Sequence, residues 1–531
     1  MKRYLAVFLA FVAVTFASVA QVGDLPRSTP EAEGVDPVII DNLYHVLDSN
    51  PDVDVHHLMI LRHGKVIGEV HASPYRATDV HMLYSASKTV TGLAVGLAVD
   101  DKLLSIDDKV SKYLRDKMPA TLSPALDSLT VRHMLMMASG RLEDTGIFLG
   151  QEDWLTTWFK GDFHNVGKEF HYDSMATHAL AMILCRLTGK PLLEYVRERI
   201  FNPLHITRVD WEMGPDSVEM AGWGLFLHAE SQAKLGQLML QGGKWNGQQI
   251  VSEQWIHDMT QHYLRTNSSD RVKLSFWKKV KRLFRRVWNY VRSLFTGCNN
   301  SSYYLGYGFQ TKSIIKPWAE AFFAAGYGGQ LIYVVPKCDL VVVINGRAMN
   351  YGTELNAFYD HLVVPLASGK KPAALGAVDH FDIAPPVGSA THELEERLLF
   401  SHIVLNDNLL DFMTIDVDRR GDDLIFTMTD STRILKAYAA CGEWRITTSD
   451  EMPIYVNESV PQLLNVRRPF TSAAAYAWQG DQLVMRLDWL DGGDNRRMRM
   501  VFDGDQVTIY ASDNFDLKLT DEIHGKLVPR R

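Results

Sequence analysis

The sequence predicts a mixed α/β (α+β) first unit followed by a small all-β unit. In the first, an antiparallel sheet drawn from both ends lies beside a helical lobe. Three observations carry this expectation. Strand-like runs at 57–62 and 65–71 are answered, after a helix-rich middle, by runs at 321–325, 331–335 and 340–345. A stretch rich in Gly, Pro, Ala and Lys from Ser368 to about Ser389 reads as a linker. Beyond it, short alternating runs are punctuated by hairpin glycines.

Taken in order, residues 1–20 read as a secretory signal. Lys2 and Arg3 lead an apolar stretch at 5–16, and Ala17-Ser18-Val19-Ala20 supplies the small-residue cleavage site. That apolar stretch is short for a membrane span. The mature protein is therefore expected outside the cytoplasm, in the periplasm or beyond, as a soluble or peripherally membrane-associated protein. The first two strands turn at His63-Gly64, and an apolar helix then runs from Ser85 to about Val99, stopped by Asp100-Asp101-Lys102. Helices and loops alternate to about His262. The last two strands of the unit join around 336–339, and a helix at about 353–367 closes it. These signals divide the chain into 1–20, a first unit at 21–368, a linker at 369–395 and an all-β unit at 396–531. Strands in the last unit are expected at 424–429, 435–439, 472–478, 482–489, 496–502 and 506–511, with hairpins at Gly480 and Gly504. This pattern fits a small antiparallel barrel or sandwich, which either packs on the first unit or binds a ligand.

At 531 residues the chain exceeds one ordinary domain, and its apolar content suffices for a large core. Four scattered cysteines, Cys185, Cys298, Cys338 and Cys441, favour no pairing. Cys185 lies in an apolar helical stretch and reads as a buried thiol. His56-His57 reads as a strand or surface pair, no ligand cluster is visible, and neither a metal nor another cofactor is expected. An acidic, exported chain with net charge −8 is a poor nucleic-acid binder.

Chemistry concentrates at Ser85-Ala86-Ser87-Lys88. On a helix this spacing puts hydroxyl and amine on one face, so the amine can take the serine's proton. Spacing alone is weak, because Ser231, Ser275, Ser313 and Ser368 also precede a lysine by three residues. Two later stretches set the first pair apart. Tyr172 and Ser174 sit where a loop enters an apolar helix, and a phenol beside a cationic lysine has its phenolate stabilised. The run Ala324-Ala325-Gly326-Tyr327-Gly328-Gly329 is a strand entering glycines, where backbone N–H groups can approach an oxyanion.

In this order the motifs resemble those of the serine β-lactamase and penicillin-binding superfamily. The likeness is to its class C-like branch of esterases, D-amino-acid amidases and 6-aminohexanoate-oligomer hydrolases. Supporting stretches are 129–135 with Ser139-Gly140, 221–225 and 242–247, and the resemblance covers about 31–367. It implies a β-lactamase/transpeptidase-like fold and a serine hydrolase that cleaves a small-molecule or peptide-like amide or ester through a Ser85 acyl-enzyme. Lys88 and Tyr172 would share the proton work, and the N–H groups of Ser85 and Tyr327 would form the oxyanion hole. Ser174, Gly326, Gly328 and Ala324 would contact substrate, although Ser174 also suits a helix cap. Two positions depart from the family. Ser174 replaces an asparagine, and Ala324 replaces the lysine or histidine that binds substrate carboxylates. Both departures point away from β-lactams and cell-wall peptides, which stand as the alternative substrates. A non-catalytic receptor for membrane or cell-wall fragments is the alternative of another class.

One segment looks inserted. Residues 271–295 hold nine basic side chains and no acidic one. On a helix Phe276, Trp277, Phe284, Trp288 and Phe295 fall within one apolar arc of roughly 160° facing the bases. Such a face suits an anionic membrane surface, and it equally suits packing on the protein's own surface.

Overall fold

The run Val53–Arg62 (β1) is almost wholly buried, as a strand covered on both faces must be. The computed structural model describes residues 24–141, 153–266, 304–348, 351–378, 381–408, 412–430, 434–449, 469–512 and 521–530. The expected signal at 1–20 and the basic segment 271–295 lie outside the described residues. Helix Pro37–Asp48 (α1) starts on an Asp36 cap and leads into β1. The other strands of the first sheet are Lys65–His71 (β2), Leu264–Arg265 (β3), Tyr304–Tyr307 (β4), Lys312–Ile315 (β5), Glu320–Gly326 (β6), Gln330–Val335 (β7) and Leu340–Ala348 (β8). They form one eight-stranded sheet in the order β2-β1-β8-β7-β6-β5-β4-β3. β1 pairs antiparallel with β8 along its length, so the two ends of the unit meet in mid-sheet, as the sequence predicts.

The sheet separates two cores. On one face Val341 and Val343 pack with Ser87–Asp100 (α2), Ser174–Thr188 (α3) and Ala229–Leu240 (α4). On the other, Val342 and Ile344 pack with α1 and Gly352–Phe358 (α5). α2 is buried from Ser87 through Ala98, which explains why its sequence is apolar all round instead of striped. The helix does not begin at Ser85, contrary to expectation. Ser85 lies in a 3₁₀ turn, Tyr84–Ala86, that feeds into α2. The closing helix is likewise subdivided, with a π-helical turn at Tyr359–Val363 between α5 and a last helical turn at Val364–Ser368.

The C-terminal strands are Ser401–Leu405 (β9), Phe412–Arg420 (β10), Asp423–Asp430 (β11), Ile434–Cys441 (β12), Arg445–Ser449 (β13), Phe470–Gln479 (β14), Gln482–Trp489 (β15), Asn495–Asp503 (β16), Gln506–Ala511 (β17) and Asp521–Pro529 (β18). Their order is β12-β11-β10-β9-β18-β17-β16-β15-β14-β13, and a parallel pairing of β12 with β14 closes the sheet into a barrel. Alternate residues of β11 are buried, the period-2 pattern that fills a small barrel. β9, β10, β13 and β18 escaped the sequence reading.

The barrel packs on the first unit. Leu490 and Ala473 belong to the core of α1 and α5, and Arg486 and Arg497 approach Asp54 of β1 at 3.7 and 3.4 Å. The connecting stretch is tied down at both ends. Asn42 holds it through Ala373 and Leu375, and Ser389 bridges to Trp478. His56 and His57 are buried strand residues, against His81 and His71 respectively. Cys185 is half-buried, and its thiol is pushed up to about 12 by that burial.

Candidate active site

The strand His81–Met82 delivers the chain to Tyr84, whose backbone takes the left-handed φ of 46°. That conformation is costly for a bulky residue and sets the angle at which Ser85 is presented. Ser85 is half-buried, whereas Lys88, one turn on, is 2% exposed. The lysine ammonium donates to Ser85 Oγ at 3.2 Å, to Ser174 Oγ at 3.0 Å and to the Gly222 carbonyl at 2.7 Å. Acceptors such as these are how an ammonium is tolerated out of water.

α3 supplies the next group. Its cap is Asp173, whose carboxylate accepts from the N–H of Met175, from Ser139 Oγ and from Trp158 Nε1. Ser174 is thus released from capping and turns its hydroxyl to Lys88. The same cap fixes Tyr172, whose ring centroid lies 4.6 Å from Lys88 Nζ. Lys312 of β5 reaches the same ring at 5.9 Å and donates to the Tyr351 hydroxyl at 3.0 Å. Ammonium groups from helix α2 and strand β5 therefore converge on one phenol, an environment that stabilises a phenolate.

The third stretch completes the mouth. β6 runs so close to the segment before Ser85 that a Cβ on Gly326 would meet the Leu83 carbonyl oxygen at 2.0 Å. Tyr327 follows, 52% exposed, its ring edge-on to Tyr84 at 5.9 Å. Gln330 donates to the Tyr327 carbonyl at 3.2 Å, and the Gly328 carbonyl accepts from Ala348, so the glycine turn is held from both sides. Ala324 is buried on the α2-facing side of β6 and offers no polar group there.

The structure thus gathers Ser85, Lys88, Tyr172, Ser174, Gly326 and Tyr327, while Phe276, Trp277, Phe284, Trp288 and Phe295 fall outside the described residues. Sequence reasoning missed the Gly222 carbonyl, Lys312 and Asp173. Only the last carries a local signal, an aspartate directly before an apolar helix.

A serine on a strand-fed turn, a buried lysine one turn later and a tyrosine beside them match the arrangement that the sequence motifs predict. The chain belongs to the beta-lactamase family, whose description matches residues 56–356. It is 26% identical over 226 residues to a 6-aminohexanoate-dimer hydrolase of Paenarthrobacter ureafaciens, covering 38% of this chain and 56% of that protein. It is 24% identical over 324 residues to an uncharacterized protein of Alkalihalophilus pseudofirmus, covering 55% and 82% respectively. Among solved structures, an octameric penicillin-binding protein homologue from Pyrococcus abyssi aligns over 92% of this chain and 98% of its own, with a TM-score of 0.46 and 14% identity.

Behind the glycine turn sits a carboxyl that sequence reasoning also missed. Glu354 of α5 is fully buried, neither of its side-chain oxygens has a hydrogen-bond partner among the described residues, and a Cβ on Gly329 would meet Oε1 at 2.2 Å. Burial pushes its pKa from 4.5 up to about 8. Between those values the folded protein holds a proton that the unfolded chain has released, so this group's contribution to stability falls as pH rises through the window. Glu354→Gln, which is neutral at every pH, is expected to flatten the fall of the thermal midpoint across that range. An unchanged profile would show that Glu354 is not the titrating group.

Proposed function

We propose that this protein is an exported serine hydrolase that cleaves an amide or ester bond of a small-molecule or peptide-like substrate. Ser85 attacks the carbonyl, its proton passes to the Lys88–Tyr172 pair, and the leaving group takes a proton back from that pair. The N–H groups of Ser85 and Tyr327 stabilise the oxyanion, and water then releases the acyl group by the same route. The observation that carries this reading is the 3.2 Å contact from buried Lys88 to Ser85 Oγ, with the Tyr172 ring against the same ammonium. The relative named as a 6-aminohexanoate-dimer hydrolase supports hydrolytic chemistry on a small substrate. A retired, ligand-binding descendant is disfavoured, because Ser85, Lys88 and Tyr172 are all present and brought together.

Treatment with a fluorophosphonate probe tests the nucleophile. Labelling is expected on Ser85 and should fall by at least ~10³-fold in Ser85→Ala, the scale of losing a nucleophile from such a unit. Labelling that survives the substitution would sink the assignment.

The proposed place of action is an anionic membrane surface. Its support is sequence alone: nine bases opposite an aromatic-rich apolar arc at 271–295, after a signal-like start at 1–20. Among the described residues no helix is long and apolar enough to cross a membrane. Co-sedimentation with phosphatidylglycerol-containing vesicles should be lost on deleting 271–295, and binding that persists after the deletion would refute the membrane role.

A further inference from the structure

The C-terminal barrel makes one contact that the proposed chemistry does not use. The turn between β15 and β16, Leu490-Asp491-Gly492-Gly493-Asp494, leaves the barrel and lodges against the segment that presents the nucleophile. Leu490 is buried in the core of the first unit, a hydrophobic plug that sets the depth of insertion. The turn is internally closed: Trp489 N–H donates to the Asp494 carbonyl at 2.8 Å, and Gly493 N–H to the Trp489 carbonyl at 2.9 Å. Asp491 Oδ2 also accepts from the Thr471 N–H at 2.6 Å, tying the turn to β14. Such a turn acts as a rigid body carried by the barrel.

Its contacts fall on His81, Met82 and Tyr84, within the four residues before Ser85. The Met82 N–H donates to the Asp491 carbonyl at 2.8 Å, one residue from strained Tyr84 on the far side of Leu83. The Tyr84 hydroxyl donates to Asp494 Oδ1 at 3.3 Å. Gly493 lies over His81, where a Cβ would come within 2.6 Å of Nε2, so only glycine permits this approach. Asp491 and Asp494 are 1% and 0% exposed. Burying two carboxylates costs free energy unless they are tied to donors: Asp491 Oδ2 is tied to the Thr471 N–H within the barrel, and Asp494 Oδ1 to the Tyr84 hydroxyl of the nucleophile segment.

Tyr84 is the pivotal residue of this contact. Its left-handed backbone must be held by its surroundings, because an isolated chain avoids that conformation. The ring that Asp494 anchors is also the ring that meets Tyr327, so one side chain joins the barrel, the nucleophile turn and the glycine strand.

We propose that the turn 490–494 is a positioning element for catalysis: through Asp491 and Asp494 the C-terminal barrel holds Met82 and Tyr84, and thereby fixes Ser85 and Tyr327 relative to each other. Tyr84 and Asp494 are positioning residues that touch no reacting atom. The proposal rests on the reading of Ser85 as nucleophile.

The test uses the full-length protein, the rate of fluorophosphonate labelling at Ser85, and kcat and KM for a short acyl ester. Tyr84→Phe keeps the ring and deletes one hydrogen bond, and Asp494→Ala deletes its acceptor. Each is expected to slow labelling and lower kcat by about tenfold with KM little changed. The double variant should be no slower than either single, since both remove one interaction. Asp494→Asn retains an acceptor oxygen and should recover most of the rate. Wild-type labelling rates in Tyr84→Phe, or single losses that multiply in the double variant, would overturn the proposal. A lower thermal midpoint in Asp494→Ala with unchanged kcat would do the same, leaving the turn a packing contact. Absence of labelling at Ser85 in the wild type would overturn the nucleophile reading first, and the positioning role with it.

Discussion

An ammonium group buried among helices must find acceptors for its protons. Lys88 finds them in Ser85, Ser174 and the carbonyl of Gly222. Each acceptor comes from a different part of the chain: the 3₁₀ turn before α2, the start of α3, and the segment ahead of α4. Satisfying one side chain therefore requires three separate elements to converge, and the cost of leaving any donor unmet holds them in that register. The same convergence leaves Ser85 half-buried while Lys88 is buried.

The sheet makes the convergence possible. β1 zipped to β8 places the start and end of the first unit side by side, and β6 and β7 follow on one flank. The Ser85 turn and the Gly326–Gly329 turn are hundreds of residues apart in sequence, yet a single strand order brings them into van der Waals contact. Asp173 performs the corresponding task for the tyrosine. By capping α3 while holding Ser139 and Trp158, it fixes the backbone between Tyr172 and Ser174, whose side chains both face Lys88.

Much of this was legible in the sequence, and the reasons differ by element. β1, β6, β7 and β8 announce themselves because strands buried on both faces must be apolar throughout. Ser85, Lys88, Tyr172 and Tyr327 are legible because their motifs are local and ordered. Gly222 is not legible, since it acts through a carbonyl oxygen that every residue possesses. Lys312 is hidden for a different reason. The sequence shows the family's cation missing at 324, and only the pairing of β5 with β6 reveals an ammonium one strand away beside Tyr172. Glu354 gives no sign of its burial, because an amphipathic helix such as α5 normally exposes its glutamates. The start of α2 was misplaced by two residues because the 3₁₀ turn and the helix share one apolar run. In the barrel, β9 and β18 pair across more than a hundred residues of sequence; β9 is too short to show alternation, and β18, although it alternates buried Ile523, Gly525 and Leu527 with exposed Glu522, His524 and Lys526, follows no strand or hairpin signal nearby.

The central claim is that Lys88, coupled to Tyr172, makes Ser85 a nucleophile. Intact-mass measurement after brief mixing with an activated short-chain ester tests it most directly, comparing wild type with Lys88→Met, which fills the same space without charge. The account predicts an acyl adduct mapping to Ser85 in the wild type and none in the folded Lys88→Met protein on the same timescale. An adduct forming at a similar rate without the lysine, or mapping to another residue, would contradict it.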